Sequence, residues 1–120
     1  GFLSAEKLAK KMTEGNAVVI PSSIENAPNS LAEGEIVGTP TIATYVGGNM
    51  DMLEHNKDGF LYCYNEPNML AEYLSQIFES DDLANCLSEH ARATARKRHD
   101  PDTLEKTILG IYDSLILKNK

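Results

Sequence analysis

Two short apolar runs, Ala17-Val18-Val19-Ile20 and Thr41-Ile42-Ala43-Thr44, constrain the fold of this chain more than any other feature. Each has the length of a buried strand and is too short for a core helix. The segment between them opens with Pro21-Ser22-Ser23, continues as a helix over about residues 30–37, and stops at Gly38-Thr39-Pro40. A hairpin joins antiparallel strands with a few residues, whereas parallel strands need a long crossover that contains a helix. The spacing therefore predicts a β-α-β unit.

The flanking segments extend this pattern. Ser4 is a suitable N-cap for a helix over about residues 5–13, with Leu8 and Met12 on its inward stripe. Gly1-Phe2-Leu3 has the look of the last step of an earlier strand. After Val46-Gly47-Gly48-Asn49 comes a short helix over 50–55, a turn at Asn56-Lys57-Asp58-Gly59, and a third strand over 60–64. The remainder is helical. Glu66-Pro67 opens a helix with Leu70, Tyr73, Leu74, Ile77 and Phe78 at helical spacing. Another starts at Asp81 or Asp82, turns Leu83, Leu87 and Ala91 inward, and ends near His99. Asp100-Pro101 caps the last, which carries Leu104, Ile108, Ile111, Tyr112 and Leu115. The expectation is an α/β fold: a three-layer, Rossmann-like parallel sheet flanked by helices, with residues 1–120 in one domain and the helices of 81–118 packed on it or extending from it.

Composition narrows the function. The hydrophobic share of 42% is ordinary for a folded domain. A net charge of −7 argues against a nucleic-acid partner, which selects a basic excess. No run is long enough to span a bilayer. Cys63 and Cys86 form no CxxC pair, and reduced thiols in a cytoplasmic protein are the simpler reading than a disulfide. His55, His90 and His99 show no metal-ligand spacing, so no metal site is expected. Arg92, Arg96, Lys97 and Arg98 stand near a helix C-terminus, where dipole compensation on a solvated face accounts for them. Contact with another domain or with acidic lipid at a membrane's inner face is the alternative.

The first β-to-α loop is the candidate site, because ligands of open parallel sheets bind where loops leave the carboxyl ends of strands. It carries Glu25, and Glu33 follows about one turn into the helix, so both could reach one polyhydroxylated ligand. The helix start at Asn29, Ser30 and Leu31 offers N–H groups suited to an anion. A plainer reading treats Ser30-x-x-Glu33 as a capping box, with Glu33 folded back on its own helix. Gly47-Gly48 reads equally as a tight turn or as a ligand contact.

In order, Pro21-Ser22, Glu25, Glu33, Gly38-Thr39-Pro40, the strand at 41–44, Gly47-Gly48 and Gly59-Phe60-Leu61 resemble the C-terminal domain of retaining glycosyltransferases with the two-domain GT-B architecture, the "group 1" family. The resemblance covers nearly the whole chain. It implies a nucleotide-sugar donor site in which Glu25 holds the sugar hydroxyls for transfer and Glu33 holds the ribose. Backbone amides around Asn29, Ser30 and Leu31 would face the sugar and diphosphate, with Ala27, Pro28, Gly47 and Gly48 close by. It further implies transfer to a hydroxyl acceptor in polysaccharide or glycolipid synthesis, without metal or cofactor, and with an N-terminal acceptor domain as partner. Two departures stand out. Ala27-Pro28 replace an aromatic and a glycine, which removes one N–H donor. Gly34-Glu35 replace the more usual Ala-Met, which weakens the helix slightly. A nucleotide-sugar epimerase of the same architecture and a non-catalytic α/β binding module remain as alternatives.

Overall fold

The structure, a computed structural model, describes residues 2–118. Gly1 lies outside them, and Phe2 and Leu3 are exposed and belong to no strand. A strand is defined by pairing, and no described strand lies beside them. Strands β1 (Val18–Ile20), β2 (Thr41–Thr44) and β3 (Phe60–Tyr62) form one parallel sheet in that order. They alternate with helices α1 (Ala5–Glu14), α2 (Asn29–Val37), α3 (Asn49–Met52), α4 (Pro67–Glu79), α5 (Asp81–Arg98) and α6 (Pro101–Lys118).

Register divides the core into two. Ile20 pairs with Ala43 and Ala43 with Leu61, so these three form one row on one face. They cluster with Leu31 of α2 and with Leu53. Neighbouring residues point to the opposite face, as the strand period of two requires. There Ile42, Phe60 and Tyr62 meet Ile77 of α4 and Leu87 of α5. Tyr73 stacks on Phe60 with ring centroids 4.5 Å apart. The expected three layers are present, with α2 and α3 on one side and α4 with the start of α5 on the other.

The buried threonine hydroxyls are engaged. Thr39 Oγ1 donates to Met12 O, which ties the end of α1 to the turn before β2. Thr41 Oγ1 donates to Thr39 O. Gly34 earns its place in α2 by proximity: a Cβ there would stand 3.1 Å from Thr41 Oγ1, so the helix lies close against the sheet.

Several boundaries differ from expectation. β3 ends at Tyr62, where Tyr45 N–H takes the Tyr62 carbonyl and pairing with β2 runs out. α3 ends at Met52, because the backbone turns extended at Leu53, whose side chain fills the core. Ser4 occupies the N-cap of α1 without making a side-chain cap bond. Phe78 and Tyr112 are 60% and 61% exposed, and no residue of α6 is buried. Helical periodicity marks an apolar face but carries no information on what covers it. At the start of α6, Asp100 does cap as expected, accepting from Thr103 N–H at 2.9 Å, and the Thr103 bonds hold its carboxyl below the usual value.

The basic cluster also departs from its simplest reading. Arg92 donates to Val37 O at the end of α2. Arg98 donates to Glu35 Oε2 at 2.6 Å and to the Met52 carbonyl. Glu35 is fully buried, with its partner guanidinium 24% exposed. Burial is the largest influence on Glu35 and pushes its carboxyl up, the Arg98 bond and charge pull it back, and Asp58 adds to the rise. Two of the four cations are therefore internal anchors.

Tight backbone contact joins the β1–α2 and β2–α3 loops. A Cβ on Gly47 would fall 1.7 Å from Glu25 O, and one on Gly48 1.5 Å from Asn26 O. Gly47 also has φ +47°, a conformation that L side chains rarely adopt.

Two predictions follow from the packing. Gly48→Ala should destabilise the protein by about 2–3 kcal/mol in urea unfolding, because backbone must move to admit the methyl. Gly110→Ala in α6, where a Cβ meets nothing within 4 Å, should be neutral or stabilise by roughly 0.5–1 kcal/mol. The second concerns the buried pair. Arg98→Met leaves Glu35 unpaired and should cost about 3 kcal/mol, whereas Glu35→Met combined with Arg98→Met should be near neutral. A carboxyl whose pKa is raised by folding contributes stability below the ordinary carboxylate range and loses it as pH rises through the folded value. Denaturation at acid and neutral pH should thus show the double variant gaining on the wild type as pH rises.

Candidate functional site

The sequence folds locally so that two loops and one helix start meet at the carboxyl edge of the sheet. The β1–α2 loop is held from below by Thr44, whose Oγ1 donates to Ser22 O at 2.6 Å. Ser22 Oγ in turn donates to Glu25 Oε2 at 3.0 Å, and the Asn26 N–H donates to Glu25 Oε1 at 3.2 Å. Glu25 is half-buried, and both carboxylate oxygens have a local donor. Ala27 is exposed; its Cα and the Glu25–Asn26 carbonyls face Gly47 and Gly48.

Pro28 is the N-cap of α2 and is buried. Its carbonyl accepts from Leu31 N–H at 3.1 Å and Ala32 N–H at 3.3 Å. No side chain caps this helix. Helix geometry leaves the Asn29 and Ser30 amides without acceptors inside the helix. Leu31 is different, since its amide is engaged by Pro28 and its side chain sits fully in the core. The amides open to an anion therefore narrow to Asn29 and Ser30.

The capping-box reading of Ser30-x-x-Glu33 is not realised. Pro28 sets the helix start two residues before Ser30, which places Ser30 within the first turn rather than at the cap. Glu33 is exposed on the helix surface. With Asn29 it lines a groove of about 370 Å³ between α1 and α2, whose walls include Leu8, Met12, Ile36 and His99. Glu25 does not line this groove. Asn29 and Glu33 thus share one cavity, and Glu25 stands beside the glycine pair instead. The glycines themselves are explained by loop-to-loop contact, a reading neither sequence alternative contained.

Asn49 was missed by sequence reasoning. It is buried at the start of α3, and its Nδ2 donates to Thr44 O at 2.9 Å and to Thr44 Oγ1 at 3.2 Å. Thr44 therefore pins both loops: Ser22 through its hydroxyl and Asn49 through its carbonyl. Among the described residues Asn49 Oδ1 is a buried side-chain atom with no partner. Nothing about an asparagine after two glycines signals this role. His55 is likewise internal in function, its Nδ1 accepting from Leu61 N–H at 2.9 Å while its ring meets Phe60 and Tyr73 edge-on. Cys63 and Cys86 are free and exposed. Among the described residues no group of three His, Cys, Asp or Glu could hold a metal ion, and no helix is long and apolar enough to cross a membrane.

This geometry offers helix amides to an anion, a carboxylate on the rim of a groove, and a second carboxylate held in a neighbouring loop. Comparison with known proteins bears on the chain as a whole. The chain is 28% identical over 110 residues to D-inositol 3-phosphate glycosyltransferase of Corynebacterium urealyticum, covering 92% of this chain and 26% of that protein. It is 26% identical to 2-deoxystreptamine N-acetyl-D-glucosaminyltransferase of Niallia circulans, covering 95% and 29%. Among solved structures, HepE of Anabaena in complex with UDP-glucose superposes with a TM-score of 0.85 at 26% identity, over 95% of this chain and 31% of that one. Sucrose-phosphate synthase of Thermosynechococcus elongatus shares the fold, with a TM-score of 0.87 at 24% identity over 98% of this chain and 30% of that one. The chain thus spans under a third of the length of each of these four proteins. The family model described as "Glycosyl transferases group 1" matches residues 1–94, and the chain belongs to that family.

Proposed function

We propose that this chain is the donor-binding part of a glycosyltransferase that moves a sugar from a nucleotide-sugar to a hydroxyl acceptor. The observation that carries the reading is the uncapped start of α2, where Asn29 and Ser30 present amides next to Glu33 on its groove. A diphosphate suits those amides, because the helix terminus carries partial positive charge. Glu33 then accepts from ribose hydroxyls, and Glu25 from hydroxyls of the sugar. Hydrogen bonds to an ionised acceptor contribute roughly 1.5–3 kcal/mol each. The complex of HepE with UDP-glucose supports a nucleotide-sugar as the ligand class.

In this reading the bond between the anomeric carbon and the phosphate oxygen breaks, and the acceptor oxygen takes its place with the anomeric configuration retained. The acceptor's proton leaves with the nucleoside diphosphate, and no residue of this chain serves as general base. Charge on the departing diphosphate is stabilised where it develops, by amides already aimed at it. A net charge of −7 leaves the diphosphate short of cations here. The acceptor side and the basic residues that complete the phosphate site come from the rest of the enzyme, which acts on the cytoplasmic side without a metal.

Titration of the full-length protein with a panel of nucleotide-sugars, UDP-glucose first, tests the assignment. Failure to bind any of them would remove it. Conversion of the donor with no acceptor present would show an epimerase instead. Glu33→Ala should weaken nucleotide binding roughly ten- to a hundredfold, with the melting temperature held because Glu33 caps nothing. Glu25→Gln should lower kcat about a hundredfold while leaving stability near wild type.

A further inference from the structure

We propose that Arg98 is a positioning residue of the donor site, clamping the helix that carries Asn29, Ser30 and Glu33 to the helix that begins at the glycine pair behind Glu25. The inference rests on the donor-site reading above and adds to it a residue that touches no ligand.

The geometry is that of a single fork on two helices. One arm of the guanidinium donates to Glu35 Oε2 at 2.6 Å. The other donates to the Met52 carbonyl and approaches Glu35 Oε1 at 3.5 Å. Glu35 follows Glu33 by two residues, so the two side chains point to roughly opposite sides of α2. Glu33 is exposed on the groove, and Glu35 is fully buried against α5. Rotation of α2 about its axis is thus set by the buried carboxylate and read out by the exposed one. Met52 ends α3, a helix of four residues that starts at Asn49 directly after Gly47-Gly48. Those glycines press on the Glu25 and Asn26 carbonyls. Both helices therefore start at the site, and Arg98 ties them together at their far sides.

A stability role alone explains this poorly. Apolar residues of similar volume in place of a buried ion pair are often neutral or stabilising, so the pair is not needed to fill the space. What a planar fork supplies and an apolar contact does not is a fixed angle and distance between its acceptors. Glu35 meets one other charged group, Asp58, which opposes its ionisation, and Arg98 is the cation that offsets this. The resemblance has a methionine where Glu35 stands, so the clamp is a property of this chain rather than of its pattern.

The test uses the full-length protein with Arg98→Lys and with the double change Glu35→Met/Arg98→Met. Lysine keeps the charge beside Glu35 but lacks the fork that holds Met52 O at the same time. The double variant removes both members of the pair, so neither is left unpaired, and it guards against simple unfolding. Amide hydrogen exchange over residues 25–33 and 46–53 should accelerate in both variants, and the Kd for UDP-glucose should rise roughly ten- to a hundredfold at an unchanged melting temperature. Exchange and affinity equal to wild type in both variants would overturn the clamp. Exchange decides it even where the wild type binds no UDP-glucose, an outcome that counts against the donor-site reading and not against the tether.

Discussion

The contact on which this structure depends is the one made without side chains, between the Gly47-Gly48 turn and the carbonyls of Glu25 and Asn26. A parallel sheet delivers its loops to one edge but does not decide how near they come. Here two loops touch backbone to backbone, and Thr44 at the end of β2 bonds one through Ser22 O and the other through Asn49 Nδ2. The backbone that carries the first carboxylate of the candidate site is consequently braced by a neighbouring loop, and its Oε2 already accepts from Ser22 before any ligand arrives. Such preorganisation lowers the ordering cost that a binding site otherwise imposes on its ligand.

What the sequence made legible follows from local physics. β2 begins and ends where expected because a helix stop precedes it and a glycine pair follows. Pro67 opens α4 and Asp100-Pro101 opens α6, since caps act within a few residues of themselves. The resemblance supplied the order of the site residues; the structure puts Asn29 and Glu33 on one groove and Glu25 beside the glycine pair. The features that stayed hidden depend on partners far away in sequence. Glu35 reads as a slightly poor helix residue until Arg98, 63 positions later, is seen to bury it. Arg98 in turn reads as dipole compensation until Glu35 is known. Ser30-x-x-Glu33 misleads for the opposite reason, because a local motif is overruled by a neighbour, Pro28, that starts the helix sooner. Tyr112 and the other apolar residues of α6 show a third kind of failure, in which amphipathic periodicity is real but does not say whether the face is covered.

The acidity of the chain and the anion-facing start of α2 are compatible once the charges are located. The cations nearest the core, Arg92 and Arg98, are spent on the carbonyls of Val37 and Met52 and on Glu35. They face inward, toward the ends of helices rather than their starts. In the proposed donor site, the phosphate side is left to backbone dipoles, whose field reaches only about the first turn. A diphosphate carries more charge than two amides satisfy, so the proposed donor site calls for cations in addition to them. That division has a physical consequence. In the proposed donor site, carboxylates discriminate hydroxyls and cations hold charge, and a productive donor complex requires both on one molecule.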